Sequence, residues 1–422
     1  MTGSDGRAMK KRSLKLHWKT ILLFLAVAGP GIITSNVDND AGGIATYSMA
    51  GARFGYSLLW SLVPIMVALI IIQEMSARMG VVTGKGLSDL IRERFGVKIT
   101  VYLLVAVVLT NFGNVIAEFA GVASSLEIFR VSKFISVPVA AVLVWLLVVK
   151  GTYRSVEKIF LYACLFYVTY IIAGLLAKPD WGTIGKSLIT PTFEFSSARM
   201  GMLIGLVGTT IAPWMQFYLQ AAIVEKNIAV RDYKHSRLDV VIGSFVVTIV
   251  AGFIVLTCGA TLFRAGIRIE TGADAALALA PLAGKYCSAL FAFGLLNASL
   301  FAASILPLST AFVVCEGMGW EDGVNKKFSE APQFYGLYSM LIFLGAGIIL
   351  LPGIPLFPVM YISQVINGIV LPVILIFMLL LINNKKLMGE YKNGRVYNVI
   401  SWVTVILLVA LSLMYLTSLL GL

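Results

Sequence analysis

The sequence predicts an all-α polytopic membrane protein of about eleven transmembrane helices. Its N-terminus is expected in the cytoplasm, and ten of the helices form two five-helix blocks of opposite orientation. Three observations carry this reading. Apolar segments long enough to cross a bilayer recur along all 422 residues, in a chain that is 59% hydrophobic and only 13% charged; a soluble domain carries roughly 25% charged residues. Lys and Arg gather in alternate loops. Two apolar segments are interrupted, at matching places in the two halves.

Lipid admits only helices or closed barrels, and the ~10-residue alternating segments of a barrel are absent. The predicted spans are 20–50, 56–79, 99–129, 132–149, 155–177, 198–226, 238–264, 285–317, 333–352, 355–383 and 397–421. The longest linkers are 178–197 and 265–284. The first apolar run is too long for a signal peptide and lacks a small-residue cleavage site. With the N-terminus inside, 24 Lys and Arg fall in residues 7–19, 78–98, 150–158, 226–237, 326–327 and 385–395, against 9 outside. This positive-inside bias accounts for the net charge of +12 without a nucleic-acid partner. Cys164, Cys258, Cys287 and Cys315 show no CxxC spacing, which argues against a disulfide framework or a zinc site. The chain reads as a single transmembrane domain. Repeat one covers about 20–177, repeat two about 198–383, and one extra helix lies at 397–421.

The interruptions point to the chemistry. Residues 35–43 read SNVDNDAGG and interrupt span 1 at 36–43. Span 6 is interrupted within GTTIAPWMQ, residues 208–216, by Gly208 and Pro213. Five spans per block invert the second block, and paired broken helices mark a binding site near the midplane. Asp40 is the leading candidate, because a carboxylate at mid-bilayer costs about 2.5–3.5 kcal/mol on insertion scales. Backbone carbonyls freed by a break, beside a carboxylate, make an oxygen cage suited to a hard cation. The alternative is a buried ion pair, yet no basic residue lies near the middle of any predicted span. The DxD-x-G pattern superficially resembles a calcium loop; Gly43 fits position six, but Met49 stands where the loop needs Glu. Asp38 is expected either at a polar entrance or as a direct ligand.

Glu118 lies well inside span 3. With Asn114 it forms an i, i+4 pair on one helix face, and Asn111 is nearby. Such a polar stripe suits a water-filled path; the competing reading is a glutamate satisfied by neighbouring helices. Gln364 in span 10 can ligate a hydrated ion or join helices. Thr209 and Thr210 flank the second break. Both histidines, His17 and His235, fall in predicted cytoplasmic segments, so none is placed in the membrane to shuttle protons. No Walker A, HExxH or GxSxG motif is present, which argues against an ATP-driven pump or an intramembrane enzyme.

These residues resemble a known family. GPGIITSNVDNDAGGIATYSMAGARFGYSLLW (29–60) is similar to the first span of the NRAMP metal-ion transporters. QEMSARMGVVTGKGLSDLIRERFG (73–96), AEFAG (117–121), TTIAPWMQFYLQAAIV (209–224) and SQVINGIVLP (363–372) resemble later spans of that family in order. The resemblance implies a LeuT-like 5+5 inverted repeat with helices 1 and 6 broken. It implies metal contacts at Asp40, at the backbone carbonyls of Val37 and Thr209, and at Gln364, with Glu118 matching the acid of span 3. Two departures stand out. The family's Asp-Pro-Gly-Asn is here Asp40-Ala41-Gly42-Gly43, and its Met-Pro-His is Ala212-Pro213-Trp214. Met215 could drift toward the site, because the alignment after Trp214 needs one extra residue. A second family acid falls at Val115.

Loss of the thioether leaves oxygen ligation, which favours Mg²⁺, Ca²⁺ or Mn²⁺. Ala212 and Gly43 are also expected to widen the site for a partly hydrated ion. The pattern looks like the NRAMP-related magnesium transporters. It implies import of divalent cations, Mg²⁺ foremost and Mn²⁺ also, by alternating access with no cofactor. Without the histidine, the membrane potential would drive uptake, with no obligatory proton coupling. A proton-coupled Mn²⁺/Fe²⁺ transporter is the main alternative; an organic-substrate transporter or a receptor are weaker ones. Asp38, Asn114, Glu118, Thr210 and Trp214 are expected along the ion pathway. The expected location is the plasma membrane, the inner membrane in a bacterium; oligomeric state stays open.

Overall fold

The computed structural model describes residues 30–150, 167–192, 194 and 196–420. The basic N-terminal segment, His17, Cys164 and the first part of predicted span 5 lie outside them. Every regular element among the described residues is a helix. Those longer than five residues are α1 (Pro30–Val37), α2 (Ala41–Phe54), α3 (Leu59–Thr83), α4 (Leu87–Phe95), α5 (Val97–Glu127), α6 (Lys133–Val149), α7 (Val168–Leu176), α8 (Trp181–Ile189), α9 (Ser197–Thr210), α10 (Pro213–Glu225), α11 (Tyr233–Cys258), α12 (Cys287–Met318), α13 (Pro332–Leu350), α14 (Leu356–Ile382) and α15 (Arg395–Leu420).

Eight helical stretches among the described residues are long and apolar enough to cross a membrane: α3, α5, α9 with α10, α11, α12, α13, α14 and α15. The shorter α6, the broken pair α1/α2, and α7 meet the other predicted spans. Predicted and observed limits differ by several residues at α11 and at α3, and α3 shows why. It runs to Thr83 rather than residue 79, and ends where Gly84 turns left-handed (φ 63°, ψ 21°) and its N–H closes on the Gly80 carbonyl. Arg78, read from sequence as a loop residue, therefore sits inside a helix. The loop beyond contains α4, which buries Leu87, Leu90 and Ile91 and carries Asp89 in its first turn and Arg92 and Arg94 in its last, in line with the helix dipole.

The two broken helices lie side by side, α2 against α9 and α1 against α10. Around them α5 packs on α12 and α14, while α11 supports α1, α2 and α3. Between helices in lipid, small residues permit close approach. A Cβ on Gly208 would lie 2.0 Å from the Gln364 carbonyl oxygen, and one on Gly368 2.4 Å from that of Ile204. This contact brings α14 against the end of α9, and so brings Gln364 to the second break. On the outside, α15 exposes Ile406, Leu407 and Leu413, an apolar face suited to lipid.

Candidate functional site

The first break is shorter than predicted, covering Asp38–Asp40 rather than 36–43. Asp40 is the N-cap of α2, its carboxylate accepting the Gly43 N–H at 2.6 Å. Asp is among the strongest capping residues, so the helix restarts at Ala41. Gly42 and Gly43 do not break the helix; they form its first turn and serve close approach. A Cβ on Gly42 would lie 1.8 Å from Gln364 Nε2, and one on Gly43 would lie 2.1 Å from the Asp38 carbonyl oxygen and 3.1 Å from Thr209 Oγ1. The expected widening at Gly43 is thus not found: backbone and Thr209 fill the space a side chain would take. In the same way Gly208 lies inside α9, and the second break is Ile211–Ala212 alone.

Each break deprives carbonyls of their helical donors, Val37 and Thr209 among them, for a different chemical reason. In a continuous helix the Val37 carbonyl would accept the N–H of residue 41. Ala41 instead donates to Glu118 Oε2 at 3.2 Å. The Thr209 carbonyl would look to residue 213, which is Pro213 and has no N–H. The last turn of α9 closes one step earlier, with the Ile211 N–H on the Val207 carbonyl at 2.8 Å. The breaks also touch each other, since Thr209 Oγ1 donates to the Asp38 carbonyl at 3.5 Å.

The side chains around them are polar and buried. Glu118, held to the Ala41 N–H, brings its carboxyl group beside that of Asp40. Two like charges so placed repel, and ion pairs among the described residues all lie elsewhere. Asp38 is buried rather than at a solvated entrance. Both its carboxylate oxygens, both amide atoms of Asn39 and Glu118 Oε1 have no hydrogen-bond partner among the described residues. Such a group costs about 1–3 kcal/mol when left unsatisfied, so several at one break mark a place built to meet something polar. Among the described residues no three His, Cys, Asp or Glu gather as a metal cluster. A cation here would meet two carboxylates and otherwise neutral oxygens.

Three amides form a chain at the side of this site. Asn114 and Asn367 exchange two hydrogen bonds, each 3.0 Å, and Asn367 Nδ2 also donates to Gln364 Oε1 at 2.8 Å. Thr210 Oγ1 is bonded to the Tyr47 hydroxyl at 2.8 Å. The remaining predicted residues have these contacts. The Ala212 carbonyl is occupied by the Met215 N–H at 3.2 Å and by the Gln216 amide, once that amide is oriented to satisfy both its atoms. Trp214 is buried, its ring 6.1 Å from that of Tyr218 and its carbonyl bonded by Ser309. Met215 is buried in the core.

Sequence reasoning missed Asn39, Tyr47 and Asn367. Asn39 was in plain view between the two aspartates, Tyr47 lies two turns beyond Asp40, and Asn367 stands at i+3 from Gln364. It also missed two buried acids elsewhere. Asp239 accepts the Gly31 N–H at 2.7 Å and the Ile32 N–H at 3.4 Å, capping α1 from α11. Glu74 pairs with Arg78 at 3.1 Å and accepts the Tyr233 hydroxyl. Arg78 reaches on to the Tyr391 carbonyl at 2.9 Å and to Asn393 Oδ1 at 2.5 Å.

Comparison with known proteins bears on this geometry. Residues 31–418 match the family model described as natural resistance-associated macrophage protein-like, Nramp. The chain is 28% identical to the divalent metal cation transporter MntH of Deinococcus radiodurans, over 96% of this chain and 91% of that one. Among solved structures it is similar to the Eremococcus coleocola manganese transporter, with TM-score 0.76 and 23% identity over 95% of this chain and 87% of that one. It also shares its fold with Mhp1, a nucleobase-cation-symport-1 family transporter, at TM-score 0.60 and 13% identity over 93% and 90% of the two chains. The paired breaks thus belong to a LeuT-like architecture, and the chain is a multi-span membrane protein of the Nramp family.

Proposed function

We propose that this protein imports divalent cations by alternating access, with Mg²⁺ as main cargo and Mn²⁺ also carried. In this reading the N-terminus is cytoplasmic, as the loop charges favour, and the membrane is the plasma membrane of a bacterium. The carrying observation is the coincidence of two donor-free carbonyls, Val37 and Thr209, with the neighbouring carboxyl groups of Asp40 and Glu118, the latter bonded to the Ala41 N–H. Asp40 neutralises the ion, the two carbonyls and Gln364 supply oxygens, largely through retained water, and Asp38, Asn114 and Thr210 keep the surroundings polar. Neither His nor Cys stands at either break, which supports an all-oxygen shell and therefore a hard ion. Mg²⁺ dehydrates reluctantly and keeps several waters. A divalent ion gains about 4.6 kcal/mol per 100 mV, twice the single-charge value, so the potential alone supports uptake.

The divalent-metal part of this reading draws further support from the MntH relative in Deinococcus radiodurans and from another, 26% identical, in Bacillus subtilis. A second reading, proton-coupled Mn²⁺ import, is favoured by the manganese transporter of similar fold. Uptake into proteoliposomes containing a Mg²⁺-sensitive dye and a pH dye separates the two, with Asp40→Asn as control, because Asn keeps the helix cap and removes the charge. Potential-driven Mg²⁺ entry without acidification, lost in Asp40→Asn, is the expected result. Mn²⁺ entry with acidification and no Mg²⁺ entry would establish the second reading instead.

A further inference from the structure

We infer that Asn367 is a positioning residue that fixes the Gln364 amide, and that it thereby sets how tightly the transported cation is held; this rests on the cation-transport reading above. Asn367 is fully buried on α14, three residues after Gln364 and so on the same helix face. Its Nδ2 donates both to Gln364 Oε1 at 2.8 Å and to Asn114 Oδ1 at 3.0 Å, and its Oδ1 accepts from Asn114 Nδ2 at 3.0 Å.

The orientation of the chain follows from its neighbours. The Ser363 hydroxyl donates to the Met360 carbonyl at 2.8 Å, so its single proton is used and it can only accept from Gln364. Gln364 Nε2 lies 3.3 Å from that hydroxyl, which places the amide nitrogen at this end and the oxygen toward Asn367. An oxygen facing Asn367 requires the Asn367 nitrogen in return, and the reciprocal pair then fixes Asn114. No single amide can turn without setting oxygen against oxygen, so the three are locked together across α5 and α14.

An amide oxygen carries two lone pairs. Asn367 takes one, leaving the other for an ion or its water. The Gln364 side chain is confined from the other side by Gly42, where even a methyl group would come 1.8 Å from its nitrogen. Asn367 therefore acts through Gln364 without touching the cargo. An apolar residue of similar size would free the Gln364 amide to rotate, at a cost in affinity more than in maximal rate.

The test is a double-mutant cycle read by uptake of Mg²⁺ and of Mn²⁺ into proteoliposomes, with thermal unfolding of each variant in parallel. Asn367→Leu is expected to raise KM by roughly 2- to 10-fold, the loss of one ordinary hydrogen bond, with a smaller change in maximal rate. In the Gln364→Ala background the same substitution is expected to change KM no further. Asn114→Leu, which removes the far end of the chain, is expected to give a weaker shift of the same kind, and it carries the test if Asn367→Leu does not fold. An equal KM increase with and without the Gln364 side chain would overturn the inference, as would an unchanged KM in a stable Asn367→Leu protein. Failure of the unsubstituted chain to carry either ion would overturn the transport reading itself, and the inference with it.

Discussion

Glu118 takes the backbone N–H of Ala41 that an unbroken helix would give to the Val37 carbonyl. This one bond, 3.2 Å long, joins α5 to the restart of α2. It leaves Glu118 Oε1 free beside Asp40, so one side chain both maintains the break and supplies charge to it.

The two roles of Glu118 are separable. Glu118→Gln keeps an acceptor for Ala41 and removes the charge; Glu118→Leu removes both. The Gln variant is expected to unfold near the unsubstituted temperature but to take up divalent cations more slowly. The Leu variant is expected to lose about 1–3 kcal/mol of stability as well, the cost of an unsatisfied buried donor. Unimpaired uptake by the Gln variant would remove Glu118 from the ion path.

Restoring the asparagine of the wider family by Gly43→Asn is expected to fail as a selectivity switch. The new Cβ would meet a backbone oxygen at 2.1 Å, and backbone yields less easily than a side chain. Overpacking of this kind typically costs 1–3 kcal/mol. Melting temperature is expected to fall, with the Mg²⁺ to Mn²⁺ uptake ratio shifted little among the molecules that fold.

Arg78 is expected to matter more alone than together with its partner. Arg78→Met leaves Glu74 buried and unpaired, a loss of about 3–5 kcal/mol. It also frees the Tyr391 carbonyl and Asn393, which hold the linker ahead of α15. The double variant Glu74→Gln/Arg78→Met is expected to recover a large part of the stability. Limited proteolysis at 389–395 should report the loosened linker in the single variant.

One acid outside the spans gives a pH dependence. Burial, and then the neighbouring Asp89 carboxylate, push Asp322 up from its ordinary 3.8 to about 6. Its folded form holds the proton more tightly than the unfolded chain does, so its contribution is full below about pH 4 and is lost as pH rises through about 6. Stability of the segment after α12, followed by hydrogen exchange, is therefore expected to rise as pH falls from 7 to 5. In Asp322→Asn that slope should flatten.

Much of this was legible in the residues. Asp40 and Glu118 stood out because carboxylates are costly in lipid, and Pro213 announced its own missing N–H. The exact edges of the first break were not legible, because Asp as a cap and Gly as a breaker are both locally reasonable at 40–43. Only the close approach of Gln364 and Asp38 shows why both glycines are needed. Arg78 was misassigned because hydropathy falls before the helix ends; the Glu74 partner that lets the helix continue is invisible to a hydropathy reading. Asn367 was overlooked because one amide in an apolar helix carries little information until its partner on α5 is known.

The glycine contacts between α9 and α14 carry a mechanical consequence. With Gly208 against Gln364 and Gly368 against Ile204, backbone comes almost onto backbone, and only Ile204 Cγ2 shares the contact. The two helices therefore form a strut that moves as one piece. Bending costs least where the helical hydrogen-bond ladder is interrupted, at Asp38–Asp40 and Ile211–Ala212. Those joints flank the strut, so α1 and α10 are the segments least tied to it, while Gln364 belongs to the strut itself.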